Sequence, residues 1–174
     1  MKSNKYILIL SLVIVAAFSN ILLTNIPNFS PIASVALFSG FYLSNKKFAL
    51  IIPIACMFIS DYFIGFHSLM WAVYLSFALT VVMGIKMKTS SSKNVIINSV
   101  LSSLVFFLIT NSAVWLIGDF YSSDLSGLGL CLSMGIPFLK YTLLSSIFFS
   151  AVLFGGFQIL NQLINKFLIF SKKP

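Results

Sequence analysis

Val95–Ile117 reads VIINSVLSSLVFFLITNSAVWLI, with Lys93 just before it and Asp119 just after it. At ~1.5 Å per residue an unbroken helix of this length crosses a ~30 Å hydrocarbon core. The stretch contains no charge, and its termini differ in the sign of the nearest charged residue. That asymmetry recurs along the chain. Lysines cluster at Lys2 and Lys5, at Lys46 and Lys47, at Lys86, Lys88 and Lys93, and at Lys166, Lys172 and Lys173. Asp61, Asp119 and Asp124, with the lone Lys140, fall in the intervening segments. Lysines near helix ends are retained on the cytoplasmic side during insertion, so the alternation predicts paired crossings with both termini inside.

Composition supports the membrane class. The 174 residues are 59% hydrophobic and 8% charged, with mean hydropathy +1.06, far from a soluble globular domain. One compact transmembrane domain over 1–174 accounts for the length. The net charge of +8 fits short loops at an anionic leaflet; no basic helix or stripe is present to dock on a nucleic acid. Arg and Glu are absent altogether, which removes arginine clamps and glutamate-based carboxylate pairs. Cys56 falls within an apolar stretch and makes a poor disulfide partner for Cys131. Met1–Asn20 has lysines before an apolar core but no small-x-small cleavage site, and reads as a retained first helix.

The expected fold is all-α and integral to the bacterial inner membrane, with six crossings. The first runs about Tyr6–Leu23 and the second about Pro31–Leu43, short and lined by Ala33, Ala36 and Gly40 for close packing. Ser30-Pro31 supplies an N-cap and a first-turn proline. The third runs Phe48–Ile64 with Pro53 as a kink, the fourth Ser68–Ile85 and the fifth Val95–Ile117. Between the fifth and sixth, Asp124–Gly135 reads as a short helix on or dipping into the outer surface, a lid ended by Ile136-Pro137 because a residue before proline avoids the helical region. The sixth crossing then starts near Phe138 and descends to about Asn161. No internal repeat is visible, so an inverted-repeat transporter is not expected.

Chemistry is confined to few residues. His67, Trp71 and Tyr74 share one face of the fourth helix, and Asn111, Trp115 and Gly118 repeat that spacing on the fifth, with Asp119 beyond. Two such stripes at one depth line a pocket for a flat polar molecule, or else belong to the interfacial aromatic belt. Asn111 lies about two turns inside and requires a partner there. Asp61 and Asp119 sit at helix C-termini and Lys140 near a helix N-terminus, each opposed by the macrodipole. A cluster of Lys140 with the aspartates follows, bracing the surface helix or binding a zwitterionic or anionic ligand. Cys56 reads as a small buried hydrophobe or a soft metal ligand, and His67 has no ligand-spaced partner. No nucleophile–base set and no phosphate loop occurs, GLGL at Gly127–Leu130 being too short and apolar.

Several stretches carry a family resemblance. Asn28-Phe29-Ser30-Pro31-Ile32-Ala33 with Ala36–Gly40, Ile59-Ser60-Asp61 with Gly65-Phe66-His67, Ile109-Thr110-Asn111 with Trp115, and Ile136-Pro137-Phe138 with Lys140 resemble a group of small uncharacterised bacterial membrane proteins. That group looks like the substrate-binding S components of energy-coupling-factor (ECF) vitamin transporters. The resemblance implies six helices with both termini inside and a vitamin or related micronutrient bound at the outer face. It implies as partner a transmembrane T subunit driven by two ATPases. The first helix departs from the pattern, because Ser11, Ala16, Ala17 and Asn20 give no Ala-x-x-x-Ala pair for docking on that subunit. The sequence thus predicts a non-enzymatic binder without a cofactor, using Trp71, Tyr74 and Trp115 for bulk contact and Asn111 and Lys140 as anchors, near His67, Asp61 and Asp119. The alternative is a non-transporting inner-membrane scaffold. An outward cavity bounded by the fourth to sixth helices favours the binder, and a filled bundle the scaffold.

Overall fold

In the computed structural model, residues 26–170 are described continuously, with positions 7, 11, 13, 14, 18, 19, 22 and 23 of the segment before them. The expected first crossing thus lies mostly outside the described residues, as do Lys2, Lys5, Lys172 and Lys173. The described elements are α1 (Ile32–Tyr42), α2 (Lys46–Ile64), α3 (Met70–Lys86), α4 (Ser92–Ile117), α5 (Leu125–Ser150), a π-helical turn (Ala151–Gly155) and α6 (Gly156–Phe170). No strand occurs among the described residues. The stretches Lys46–Ile64, Ser92–Ile117 and Leu125–Phe167 are long and apolar enough to cross a membrane; α1 and α3 are shorter apolar helices.

Short polar residues start the helices where the sequence supplies them. Asn45 Oδ1 accepts from the backbone N–H groups of Lys47 and Phe48 at 3.0 and 3.4 Å, Ser91 Oγ from Asn94 at 3.4 Å, and Asp124 Oδ1 from Gly127 at 2.8 Å. These are N-caps that satisfy orphan donors of the first turn. Pro31 stands at the N-cap of α1, and the preceding Ser30 Oγ accepts from Ile32 N–H at 3.2 Å. At the other end of α1, Lys46 Nζ donates to the carbonyls of Gly40 and Leu43 at 3.3 and 3.1 Å, a cation where the macrodipole favours one.

α1 is the centre of the bundle. Every residue from Ile32 to Gly40 is buried, as expected of a helix that is apolar all round. It packs most closely on α3. A Cβ built on Gly40 would collide with the Val81 carbonyl oxygen, and one on Gly84 with that of Leu37. The glycine backbones therefore approach to a distance no side chain would permit. Below this contact Phe38 stacks with Tyr42, Phe154 and Phe157 at centroid distances of 4.8, 5.2 and 5.9 Å. α2, α3, α4 and α5 surround α1 in antiparallel succession. One end of the bundle carries Lys46, Lys47, Lys86, Lys88 and Lys93, and the opposite end Asp61, Asp119 and Asp124. These five lysines are thus separated from the three aspartates by the length of the helices.

The separate helix expected over Asp124–Gly135 is corrected. Those residues are the first turns of α5, which runs unbroken through Ile136 and Pro137, and with the π turn and α6 forms an apolar helix from Leu125 to Phe167. Proline removes one backbone donor, but ending the helix in an apolar setting would leave several backbone groups unpaired, a larger cost. Small residues also draw this segment onto α4. Gly135 is buried, and a Cβ there would strike Asn111 Oδ1, while Cys131 Sγ–H donates to the Asn111 carbonyl at 3.3 Å. At ~1.5 Å per residue the 43 residues of Leu125–Phe167 extend about 65 Å, twice the ~30 Å core.

A candidate binding cavity at the acidic end

Between the acidic ends of α1, α2 and α3 and the inner stretches of α4 and α5 lies a cavity of about 350 Å³. The segment that enters α1 forms one wall, through Pro27, Asn28, Phe29 and Ser30. Asn28 holds this segment in a tight turn with φ of 57°, a left-handed conformation that asparagine tolerates. Gly65 closes α2 on the opposite side with φ of 117°, a value only glycine adopts readily, and its N–H donates to the Asp61 carbonyl at 2.8 Å. The turn ends α2 at Ile64, one helical turn beyond Asp61, and brings His67 to the cavity mouth, where it is exposed.

Asp61 is the one carboxylate of the cavity lining and is only 4% exposed. Tyr74 Oη donates to its Oδ2 at 2.6 Å, the short distance of a charge-assisted bond. Among the described residues no cation pairs with it. Hydroxyls line the same space: Ser30, Ser60, Thr142, Ser145 and Ser146. Ser145 Oγ donates to the carbonyl of Thr142 at 3.0 Å, and Thr142 Oγ1 to that of Phe138 at 3.1 Å. Ser146 differs. It is 1% exposed, and its Oγ has no hydrogen-bond partner in the structure, although its backbone carbonyl accepts from Ser34 Oγ at 3.0 Å. A buried hydroxyl left unpaired costs about 1–3 kcal/mol, and this one belongs to a residue of the cavity lining. Phe77 and Phe106, with centroids 5.4 Å apart, supply aromatic surface beside the polar groups.

The expected site residues are divided by the fold. Asp61 and His67 line the cavity, and Tyr74 joins it through Asp61. Asn111 belongs to the α4–α5 contact, where its Nδ2 donates to the Phe107 carbonyl at 2.8 Å; it is not among the lining residues. Trp115 Nε1–H donates to the Ser122 carbonyl at 2.9 Å, tying down the loop between α4 and α5. Trp71 is 49% exposed on the outside of α3, and Asp119 is exposed in the loop after α4. Lys140 does not stand near a helix N-terminus: it is exposed well within α5 and, among the described residues, pairs with neither Asp61 nor Asp119. The expected lysine–aspartate cluster is therefore corrected, because α5 begins at Leu125 rather than near Phe138 and carries Lys140 down the bundle. Cys56 and Cys131 are free thiols, and no group of three or more His, Cys, Asp or Glu fit for a metal occurs among the described residues.

The cavity is also bounded differently from expectation. The segment before α1 and the last turns of α2 contribute much of the wall, which sequence reading assigned to the fourth to sixth helices. The signal for Ser60, Ser145 and Ser146 was their polarity within otherwise apolar helices. Nothing in local periodicity told which of the many serines would face an empty space.

Outside the cavity, Asp124 Oδ1 accepts from Ser122 Oγ at 2.7 Å and Ser126 Oγ at 2.8 Å, besides Gly127 N–H. The Gly127 amide, with the two hydroxyls, holds its carboxyl at about 2, below its usual 3.8. A carboxylate so occupied is a helix cap, not a ligand site.

A family model described as "Family of unknown function (DUF6580)" matches residues 1–167, and the chain belongs to that family. No curated protein and no solved structure matches it.

Proposed function

We propose that this chain is a membrane-embedded binding protein that captures a small molecule at the acidic end of its bundle for uptake. The observation that supports the reading is the cavity of about 350 Å³ that holds a buried carboxylate and a buried, unpartnered hydroxyl. Ligand sites of small-molecule binders are concave, mostly apolar and furnished with a few convergent polar groups; this cavity has that make-up.

The lysine distribution supports an orientation with the acidic end outward and both termini in the cytoplasm of a bacterial inner membrane. The resemblance to ECF S components supports six crossings, a vitamin or related micronutrient as ligand, and an ATPase-driven partner module. The chain has no nucleotide-binding motif of its own, so energy for transport comes from that partner.

Native mass spectrometry of the gently solubilised protein tests this reading. A stoichiometric small molecule released on unfolding is the expected result. Lipid and detergent adducts alone, with no compound raising the unfolding temperature, would establish the scaffold instead.

A further inference from the structure

Resting on that reading, we infer that the cavity's ligand is a small organic cation, with its positive charge on Asp61 and its apolar part against Phe77 and Phe106. The argument begins with charge. Among the described residues, Asp61 and His67 are the titratable residues of the lining, and His67 is at the exposed mouth, so the interior carries one acid and no lysine. An anion placed there would meet Asp61 with nothing to offset the repulsion. A neutral molecule would leave a buried carboxylate without a countercharge, a costly arrangement in an apolar setting. A cation removes that cost and gains a charge-assisted bond.

The remaining walls agree with this. The Tyr74 hydroxyl bonds Oδ2 of Asp61 at 2.6 Å and fixes the carboxylate in place, leaving Oδ1 for a ligand N–H. Phe77 and Phe106, with centroids 5.4 Å apart, give the apolar part of such a cation an aromatic wall. Ser146 Oγ, 1% exposed and without a partner, offers a further acceptor or donor to a polar substituent. The cavity volume of about 350 Å³ suits a molecule the size of an arylalkylamine.

The test uses three probes of nearly equal size: 2-phenylethylammonium, the neutral 2-phenylethanol and the anion phenylacetate. Each is added at about 10 mM to the full chain in detergent, and the unfolding midpoint is read. The ammonium is expected to raise the midpoint by about 2–4 °C, and the alcohol and the anion to leave it in place. Asp61→Asn, which keeps an oxygen for Tyr74, should abolish the response. Ser146→Ala removes an unpaired atom and should fold at least as well as the native chain, which makes it the second reporter if Asp61→Asn does not fold. It should weaken the hydroxyl-bearing ethanolammonium more than 2-phenylethylammonium. An equal rise with alcohol and ammonium, an undiminished response in Asp61→Asn, or no response to either ammonium overturns the cation assignment. A neutral or anionic molecule co-purifying with the native chain also overturns it, while the binding reading stands. A chain that carries no small molecule and ignores all the probes overturns both.

Discussion

Replacing Gly84 by alanine tests the packing that carries the cavity. The new methyl would collide with the Leu37 carbonyl oxygen and lie 3.1 Å from the Leu37 carbonyl carbon and 3.2 Å from the Gly40 Cα. All three are backbone atoms, so no side-chain rotation relieves the contact, and α1 must move away from α3. Overpacking of this kind costs about 1–3 kcal/mol. The usual gain of replacing a helical glycine by alanine, about 0.5–1 kcal/mol, offsets only part of it. Gly129 provides the internal control, since it lies inside α5 and a Cβ there meets nothing within 4 Å. Gly129→Ala should therefore gain that ~0.5–1 kcal/mol in full. Thermal or denaturant unfolding of the two variants in the same detergent should shift in opposite directions, by about 2–4 °C per kcal/mol for a chain of this size. Because α1 contributes Ala33 to the cavity wall, Gly84→Ala should also reduce any ligand-induced rise in stability. Equal midpoints for Gly84→Ala and Gly129→Ala would refute the close approach of α1 and α3.

Three further outcomes are expected. Trp115→Phe removes the indole bond to Ser122 and should cost about 0.5–1.5 kcal/mol while leaving the response to 2-phenylethylammonium unchanged; a lost response would place Trp115 in the site after all. The carboxyl of Asp124 is lowered on folding, so its cap is fully present above the usual 3.8 and is lost as pH falls through about 2. Amide exchange at Gly127, corrected for its intrinsic pH dependence, should accelerate across that window in the native chain but not in Asp124→Asn, whose amide oxygen caps without titrating. Cysteines placed at Ser122 and Ser91, in a chain lacking Cys56 and Cys131, should react with an impermeant thiol reagent from opposite sides of the membrane; reaction of both from one side would rule out the lysine-based orientation.

Length and apolarity over Val95–Ile117 determined a membrane-length helix, observed as Ser92–Ile117, because the rise per residue and the thickness of the hydrocarbon are fixed quantities. The segregation of Lys46, Lys86 and Lys93 from Asp61 and Asp119 was likewise determined by sequence, since antiparallel helices of similar length place alternate loops at the same end. Local chemistry was legible too at Ser30-Pro31, where α1 starts. Pro137 was misread because its local preference for ending a helix is outweighed by the cost of unpaired backbone in an apolar setting, a balance set by the surroundings. The same error displaced Lys140 and created an ion cluster that the fold does not contain. Whether Asn111 faces a cavity or a neighbouring helix depends on Gly135 lying against it, a contact between residues far apart in sequence. The absence of a partner at Ser146 is likewise decided by six converging segments, and only their packing leaves an empty space beside Asp61. Periodicity assigns a residue to a face of its helix; what that face meets is settled by tertiary packing, where close approach at Gly40 and Gly84 and open volume at the acidic end are fixed together.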